Sequence, residues 1–308
     1  VYIGTIDLPY YLGAPTWPAI GPADCTVTTS GATPCPPLTG FWQAAPGAYV
    51  PPFDQAGLDP TSTNLTYANP LPLATSTQTV PLLLTVPNAK SGLTKPASGW
   101  PLVIFQHGIT RNRTDMFAIA GTLASQGFAV VAMDLPLHGV TDKNNPFYIG
   151  NTPFAAIGAE ERTFDIDLEN NATGAPGPDG AIDPSGSHFI NLTSLLTSRD
   201  NLREGEADLL TLSHAVSGMH YDASADLDAS NVSFLAQSLG SIVGTVFLAV
   251  DPSVKVGVIN VPGGGIARLL DASPAFGPLI HAGLAAAGVM QGTPEYDAYF
   301  VATQTVID

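Results

Sequence analysis

From Trp100 onward, short apolar-rich runs alternate with longer segments that carry apolar residues at helical spacing. The runs cover residues 101–106, 129–133, 232–236 and 254–260. Strands that are apolar on both faces are typical of a parallel sheet covered by helices on both sides. The sequence therefore predicts an α/β fold for residues 86–308, a mostly parallel sheet flanked by helices.

The first 85 residues have a different character. They are rich in Pro, Thr and Gly, and contain short alternating runs such as residues 2–11 and 79–86, without a helical period. We expect a β-rich N-terminal region over residues 1–85. Within residues 86–308, a polar stretch at about 141–187 is too long for a simple connection and predicts an insertion over the sheet edge. Residues 191–216 predict one long helix.

The charge balance excludes one class of partner. The chain has 26 acidic and 10 basic residues, a formal net charge of −16. Such a surface repels phosphate backbones, so we expect no nucleic-acid binding. The longest uncharged run, residues 230–250, has the length of a membrane span, but it includes Gln237, Ser238 and Gly240 and reads better as strand, turn and helix.

The two cysteines, Cys25 and Cys35, are separated by nine residues rich in Thr, Ser, Gly and Pro. A loop of this kind closes easily, and we expect a disulfide between them, which indicates an oxidising compartment. The alternative is two free thiols in a cytosolic protein. The chain opens directly into a strand-like sequence, so we expect that any signal peptide has been removed.

The residues Ala236-Gln237-Ser238-Leu239-Gly240 stand between a strand and a helix with a strong apolar stripe. In this context a sharp turn lifts the serine oxygen above the sheet edge, beside the amides of the helix N-terminus. Small residues two before and two after the serine are needed because strand and helix crowd there. Ala236 replaces the usual Gly. The pattern predicts Ser238 as a nucleophile, the alternative being an ordinary buried serine.

Acyl transfer also needs two amides to stabilise an oxyanion. We assign them to Leu239, after the nucleophile, and to Ile109, in the loop after the strand that ends at Gln106. Carboxyl ends of parallel strands share one sheet edge, so this loop and Ser238 should meet. Gly108, Gln237, His107 and His138 are candidates to line the pocket, although His107 is interpreted first as a structural histidine bonded to nearby backbone.

Several segments together resemble the α/β-hydrolases, and more narrowly the secreted bacterial lipases and esterases with a "virulence-factor lipase" N-terminal region. They are IDLPYYL at residue 6, FQHGIT at 105, DLPLHG at 134, INLTSLLTSRDNLREGEADLL at 190 and AQSLGSIVGT at 236. The resemblance implies a secreted enzyme that hydrolyses carboxylic esters of acyl lipids or related compounds through Ser238. It also implies transient contact with lipid surfaces, and some relatives attack polyesters.

Two other function classes stay open from the sequence. One is a hydrolase-like module that binds a ligand without turnover, and the other is a serine peptidase. Short or medium acyl esters are the expected substrates, with phospholipids and polyesters as open alternatives. No cofactor is expected.

The chain contains no evident acid and base for Ser238. In hydrolases the acid and then the His follow the serine, on loops after the last strands. Residues 254–260 form the last strand that the sequence predicts, so we expect the acid, the base and further strands beyond Asp308, on following polypeptide or a companion fragment. His138, which should lie at the correct edge, is a weaker candidate for the base, and Asp134 is a loop-capping residue rather than an acid.

The insertion carries acidic residues among Gly and Pro: Asp165, Asp167, Asp179 and Asp183. Their carboxylates suit calcium, but their spacing does not match a twelve-residue calcium loop. We interpret the segment as a solvated loop and expect no metal.

Overall fold

A computed structural model describes residues 1–15, 27–28, 31–32, 35–222 and 226–307. Six strands form its main sheet: β1 (Tyr2–Tyr10), β4 (Ser76–Thr85), β5 (Trp100–Gln106), β6 (Ala129–Met133), β9 (Leu227–Gln237) and β10 (Val254–Asn260). Four very short strands make two separate hairpins: β2 (Val27–Thr28) with β3 (Gly31–Ala32), and β7 (Glu169–Asn170) with β8 (Ala175–Pro176). The α-helices are α1 (Pro36–Thr39), α2 (Phe117–Ser125), α3 (Leu195–Ala215), α4 (Leu239–Val250), α5 (Ile266–Asp271), α6 (Gly277–Ala286) and α7 (Pro294–Ile307).

The main sheet has the strand order β1-β4-β6-β5-β9-β10. The last four strands in this order run parallel, whereas β1 and β4 are antiparallel to their neighbours. The carboxyl ends of β5, β6, β9 and β10 therefore lie at one edge, as the sequence predicted. The predicted N-terminal region contributes β1 and β4 to this same sheet, and its separation from residues 86–308 remains a prediction.

Helices cover both faces of the central strands. On β5, Leu102 and Ile104 pack into the core beneath α3 and α4, while Val103 and Phe105 pack with Met116 on the opposite face. All of these side chains are at least 95% buried. Burial on both faces explains why this strand is apolar throughout rather than alternating.

The helix α3 begins at Leu195, four residues later than the sequence predicts. The Asn191 side chain accepts a hydrogen bond from the Thr193 N–H at 3.0 Å, and the Asn191 N–H donates to the Ser198 hydroxyl at 2.8 Å. These hydrogen bonds hold the Asn191–Ser194 segment in a turn, and the turn competes with helix formation. The helical spacing continues through this turn, so sequence periodicity alone placed the start too early.

At one edge of the sheet, β10 is poorly covered. Its strand neighbour is β9, and the side chains of Val256 and Val258 are 57% and 51% exposed. Among the described residues, the other side of β10 has no strand partner, so its outward N–H and C=O groups face solvent there. No helix in the described part of the chain combines the length and apolar character of a membrane span.

A buried carboxyl on α3 ties the N-terminal segment to the rest of the protein. Glu204 accepts hydrogen bonds from Trp42 Nε1 at 2.7 Å and from the Tyr11 N–H at 3.2 Å, and its side chain is fully buried. Burial, and then the negative charge of nearby Asp208, raise the pKa of Glu204 to about 8. The group is therefore protonated in the folded protein near neutral pH.

This pKa predicts how stability depends on pH. Unfolding returns Glu204 to a pKa of about 4.5, so the folded state binds the extra proton between about pH 4.5 and 8, and the free energy of unfolding falls as the pH rises through this window. Urea unfolding of Glu204→Gln at several pH values should show a shallower fall. Glu295→Gln, at an exposed position on α7, is the control and should keep the original slope. Identical slopes for Glu204→Gln and the parent protein would contradict the assignment.

Candidate active site

Ser238 occupies the tight turn between β9 and α4. Its backbone has φ 52° and ψ −121°, a conformation that residues with a side chain rarely adopt. The Ser238 N–H donates to the Asn260 carbonyl at the end of β10 at 2.9 Å, and the Ser241 hydroxyl donates to the same oxygen at 2.9 Å. The turn is thus fixed to the neighbouring strand, and the partly exposed serine stands at the N-terminus of α4.

The small residues around the turn have a steric cause. A Cβ on Gly240 would stand 2.5 Å from the His107 carbonyl oxygen and 2.6 Å from that of Gln106. Ala236, at the position where the sequence departs from the usual Gly, is fully buried. The close approach of α4 to the end of β5 therefore requires glycine at 240, while the methyl of Ala236 is accommodated.

We expect Gly240→Ala to lower the free energy of unfolding by about 1–3 kcal/mol, because the added carbon must push backbone atoms apart. Gly121→Ala is a matched control, since Gly121 is also helical but has open space around its Cα. That change should stabilise the protein by about 0.5–1 kcal/mol through helix propensity. Thermal unfolding of the two variants measures the difference. Equal effects would show that the contact at 240 relaxes freely.

The loop after β5 lies directly against the serine. A Cβ on Gly108 would stand 3.2 Å from the Ser238 Cβ, and Thr110 has φ 64°. Among the described residues, neither the Ile109 N–H nor the Leu239 N–H has a hydrogen-bond partner. The loop that contains Ile109 thus lies beside the serine turn, and neither amide assigned to the oxyanion hole is bonded within the described residues.

His107 makes its hydrogen bonds to backbone on both sides of its ring. Nδ1 donates to the Gly108 carbonyl at 2.8 Å, and Nε2 accepts from the Leu135 N–H at 3.1 Å. The ring is fully buried, and burial lowers its pKa despite the nearby Asp134 carboxylate. Both nitrogens are occupied, so His107 supports the loop and is not placed to take a proton from Ser238.

His138 is enclosed as well. Its Nδ1 donates to the Pro136 carbonyl at 2.8 Å, and Nε2 is buried without a partner. Burial, reinforced by proximity to His107, lowers its pKa to about 3. A Cβ on Gly186 would stand 2.1 Å from Nε2, so the Gly186 backbone closes off that nitrogen. The expectation that His107 and His138 line the pocket needs correction, because both imidazoles are fully buried.

A buried ion network that the sequence did not predict supports this loop. The Arg113 guanidinium bonds Glu161 at 2.6 and 2.8 Å and pairs with Asp134, while the Arg113 N–H donates to Asp134 at 2.6 Å. Burial is the largest influence on the pKa of Asp134 and would raise it, but the charges of Arg113 and His107 and the hydrogen bonds from Arg113 together outweigh burial and lower the pKa. Asp134 is therefore a loop-capping carboxylate, and Glu161 connects the 141–187 insertion to Arg113, just after the loop that follows β5.

We expect Arg113→Met to lower the free energy of unfolding by about 3–5 kcal/mol, because it leaves two buried carboxylates without their cation. Arg111→Gln is the control: Arg111 forms an exposed i, i+4 pair with Asp115, which contributes only about 0.3–0.5 kcal/mol. Denaturant unfolding measures both. A loss below 1 kcal/mol (roughly the value of a surface pair) for Arg113→Met would contradict the network's role.

The insertion's acidic residues bond to nearby backbone and side-chain groups. Asp167 accepts from the N–H groups of Asp179 and Gly180 at 3.0 and 2.8 Å, and Asp183 accepts from Leu168 and pairs with His188 at 2.7 Å. Asp165 accepts from a tyrosine hydroxyl, that of Tyr148, at 2.8 Å. Within the described ranges, no group of three or more His, Cys, Asp or Glu side chains could hold a metal ion.

No base for Ser238 is found in the part of the chain that the structure describes. No side chain there hydrogen-bonds its Oγ. The structure does reveal one pair that sequence spacing did not suggest: His281 Nε2 lies 2.8 Å from Asp271 Oδ1, which also accepts from Tyr296. The pair joins α5, α6 and α7. Ser238, Asp271 and His281 follow the chain order of hydrolase triads. However, Asp271 and His281 are bonded to each other among the helices α5–α7, and neither is bonded to Ser238.

The predicted disulfide involves a residue outside the described ranges. Cys35 is buried at the start of α1, whereas Cys25 lies in residues 16–26, which are not described. The pairing of Cys25 with Cys35 stays a prediction.

One family model matches part of the chain. The platelet-activating factor acetylhydrolase, isoform II, family matches residues 71–138, a segment that includes β4, β5, β6 and the loop beside Ser238. No curated protein matches the sequence.

Several solved esterase structures match part of the chain. Acetyl xylan esterase from Paenibacillus sp. R4 is 14% identical, with a TM-score of 0.43 and coverage of 75% of this chain and 59% of that one. Acetyl xylan esterase 1 from Thermoanaerobacterium sp. JW/SL YS485 is 18% identical, with a TM-score of 0.43 and coverage of 74% and 58%. The chain spans less than two thirds of the length of either. The parallel strands, the helices on both faces and the serine turn at the carboxyl edge make this an α/β-hydrolase fold.

Proposed function

We propose that the protein is a serine hydrolase that cleaves carboxylic esters through an acyl-enzyme on Ser238. The observation that carries this proposal is the serine turn beside two unpartnered N–H groups, those of Ile109 and Leu239. A strained backbone conformation at a non-glycine residue costs free energy and is typically retained at functional sites.

In the proposed reaction, Ser238 Oγ attacks the ester carbonyl carbon while its proton passes to a base. The carbonyl oxygen becomes an oxyanion that accepts hydrogen bonds from Ile109 and Leu239. The bond to the alcohol oxygen then breaks, and the alcohol leaves with the proton. Water repeats the sequence on the acyl-enzyme and releases the carboxylic acid.

The substrate proposal is an ester with a short or medium acyl chain. A cavity of about 440 Å³ includes Ile109 in its lining and continues between apolar side chains of the helical layer, among them Leu270, Phe276 and Ile280. This volume suits an aliphatic chain. The resemblance to secreted bacterial lipases and esterases adds lipid or polyester substrates and an extracellular location to the proposal.

The test is reaction of the intact protein with a fluorophosphonate probe, followed by mapping of the adduct. Labelling at Ser238 is expected. A folded, complete protein that is not labelled there would overturn the nucleophile assignment in favour of a binding module, which would take up ligand without turnover.

A chain-length series of nitrophenyl esters then measures acyl preference. A strong preference for peptide bonds over these esters would identify a serine peptidase instead.

A further inference from the structure

Two cavities of different chemistry border the serine turn or the loop that lies against it. The first, of about 440 Å³, reaches Ile109 and is lined mainly by apolar side chains, although Glu169 and Thr110 also border it. The second, of about 380 Å³, is lined by Arg111, Thr114, Asp115, Ala118 and Gln237. Gln237 directly precedes Ser238, and Arg111 is two residues after Ile109. An ester bound at Ser238 therefore has both an apolar and a polar cavity within reach of the two loops that meet at the serine.

The polar cavity both donates and accepts hydrogen bonds. Arg111 bonds Asp115 through Nε at 2.7 Å and Nη2 at 2.6 Å. Among the described residues, Arg111 Nη1 and the Gln237 amide have no hydrogen-bond partner, and Gln237 is exposed. The Thr114 hydroxyl donates to Asn112 at 2.6 Å, which leaves its lone pairs free to accept. The site thus offers both hydrogen-bond donors and acceptors.

The charge of this cavity selects among polar ligands. The cation of Arg111 is balanced by Asp115, and the whole chain carries a formal net charge of −16. An anionic head group would be repelled by the Asp115 carboxylate and by the negative surface. A ligand with neighbouring hydroxyl groups carries no net charge and can pair with both the donors and the acceptors of the cavity.

We propose that the cavity lined by Arg111, Thr114, Asp115 and Gln237 binds the alcohol part of the ester, and that this alcohol carries free hydroxyl groups, as in a glycerol or sugar ester. The acyl part then lies toward Ile109 and the apolar cavity. This inference rests on the proposed function at Ser238, and it makes Arg111 and Gln237 specificity-determining residues.

The test uses octyl compounds that contain no carboxylic ester bond, so it measures binding without turnover. The octyl ether of glycerol, the octyl ether of propanediol, octyl glucoside and octyl phosphate are titrated calorimetrically into the intact protein below their micelle concentrations. The glycerol ether or the glucoside should bind about tenfold more tightly than the propanediol ether, the difference that hydrogen bonds to a charged group provide. Which of the two binds better distinguishes a glycerol from a sugar ester.

Arg111→Met should remove most of this tenfold preference while the melting temperature stays unchanged, because its ion pair is exposed. Arg203→Met is the control, since Arg203 is a partly exposed arginine on α3 that is also paired with a carboxylate. It should keep the preference. The inference would be overturned by equal affinity for the three uncharged compounds, by no binding at all, or by tighter binding of octyl phosphate. Fluorophosphonate labelling of Ser238 reports separately on the proposed function, so either can fail alone.

Discussion

Replacement of Ser238 by alanine is expected to abolish ester hydrolysis and fluorophosphonate labelling of the intact protein. The variant lacks the oxygen that forms the acyl-enzyme, and what remains is oxyanion stabilisation and substrate binding. In serine hydrolases the loss of the nucleophile costs on the order of 10⁶ in kcat. Steady-state kinetics with nitrophenyl esters, together with mass spectrometry of the labelled protein, measures the effect.

Ser230→Ala provides the comparison on the same strand. The Ser230 hydroxyl is exposed and bonds the Asp228 carboxylate at 2.6 Å, far along β9 from the turn. Its activity and labelling should match those of the parent protein. If Ser238→Ala retained more than about one per cent of the parent turnover, the acyl-enzyme assignment would be wrong, because this is roughly four orders of magnitude above the expected residual activity.

The second large effect concerns the base. We expect residues 1–308 alone to hydrolyse esters more slowly, by several orders of magnitude, than the same chain produced together with whatever sequence follows in the gene. Two observations motivate this proposal. Among the described residues, no base is hydrogen-bonded to the Ser238 Oγ, and no strand pairs with the outer edge of β10. A serine hydroxyl without a base is a weak nucleophile, and an additional strand on β10 would place its carboxyl end beside Ser238.

The comparison requires both proteins to be folded, which circular dichroism and thermal unfolding establish. Full activity from residues 1–308 would refute this proposal and place the base within the chain. His138 would still be excluded as that base, because the Gly186 backbone encloses its Nε2. The variant to make would be His281→Gln, because His281 is already bonded to Asp271 in the order expected of a triad.

Much of the central sheet was predictable because its signals are local. Residues 129–133 and 254–260 were predicted as strands with the bounds that the structure shows, and α4 follows its apolar stripe from Leu239 to Val250. The serine turn was predictable for the same reason, since strand, turn and helix are contiguous in the sequence. The carboxyl-edge rule then placed the loop after β5 beside the serine.

The buried polar groups were not predictable from sequence. Arg113, Glu161 and Asp134 come from segments up to 48 residues apart, and nothing in the local sequence states that their charges are buried together. The same holds for His138, whose sheet edge was predicted while its enclosure by Gly186 was not. The strand β9 is also longer than its apolar run, because Leu227 and Asp228 pair with the start of β5 before an irregularity in the register that the side-chain pattern does not show.

The backbone of Ser238 has a consequence for how this position can evolve. A positive φ at a residue with a side chain costs free energy, and glycine would adopt the same turn at lower cost. Stability alone therefore favours glycine at 238, while the proposed chemistry requires serine. A change that raises the melting temperature by relaxing this turn would also remove the activity. Selection for thermal stability and selection for catalysis therefore favour different residues at position 238.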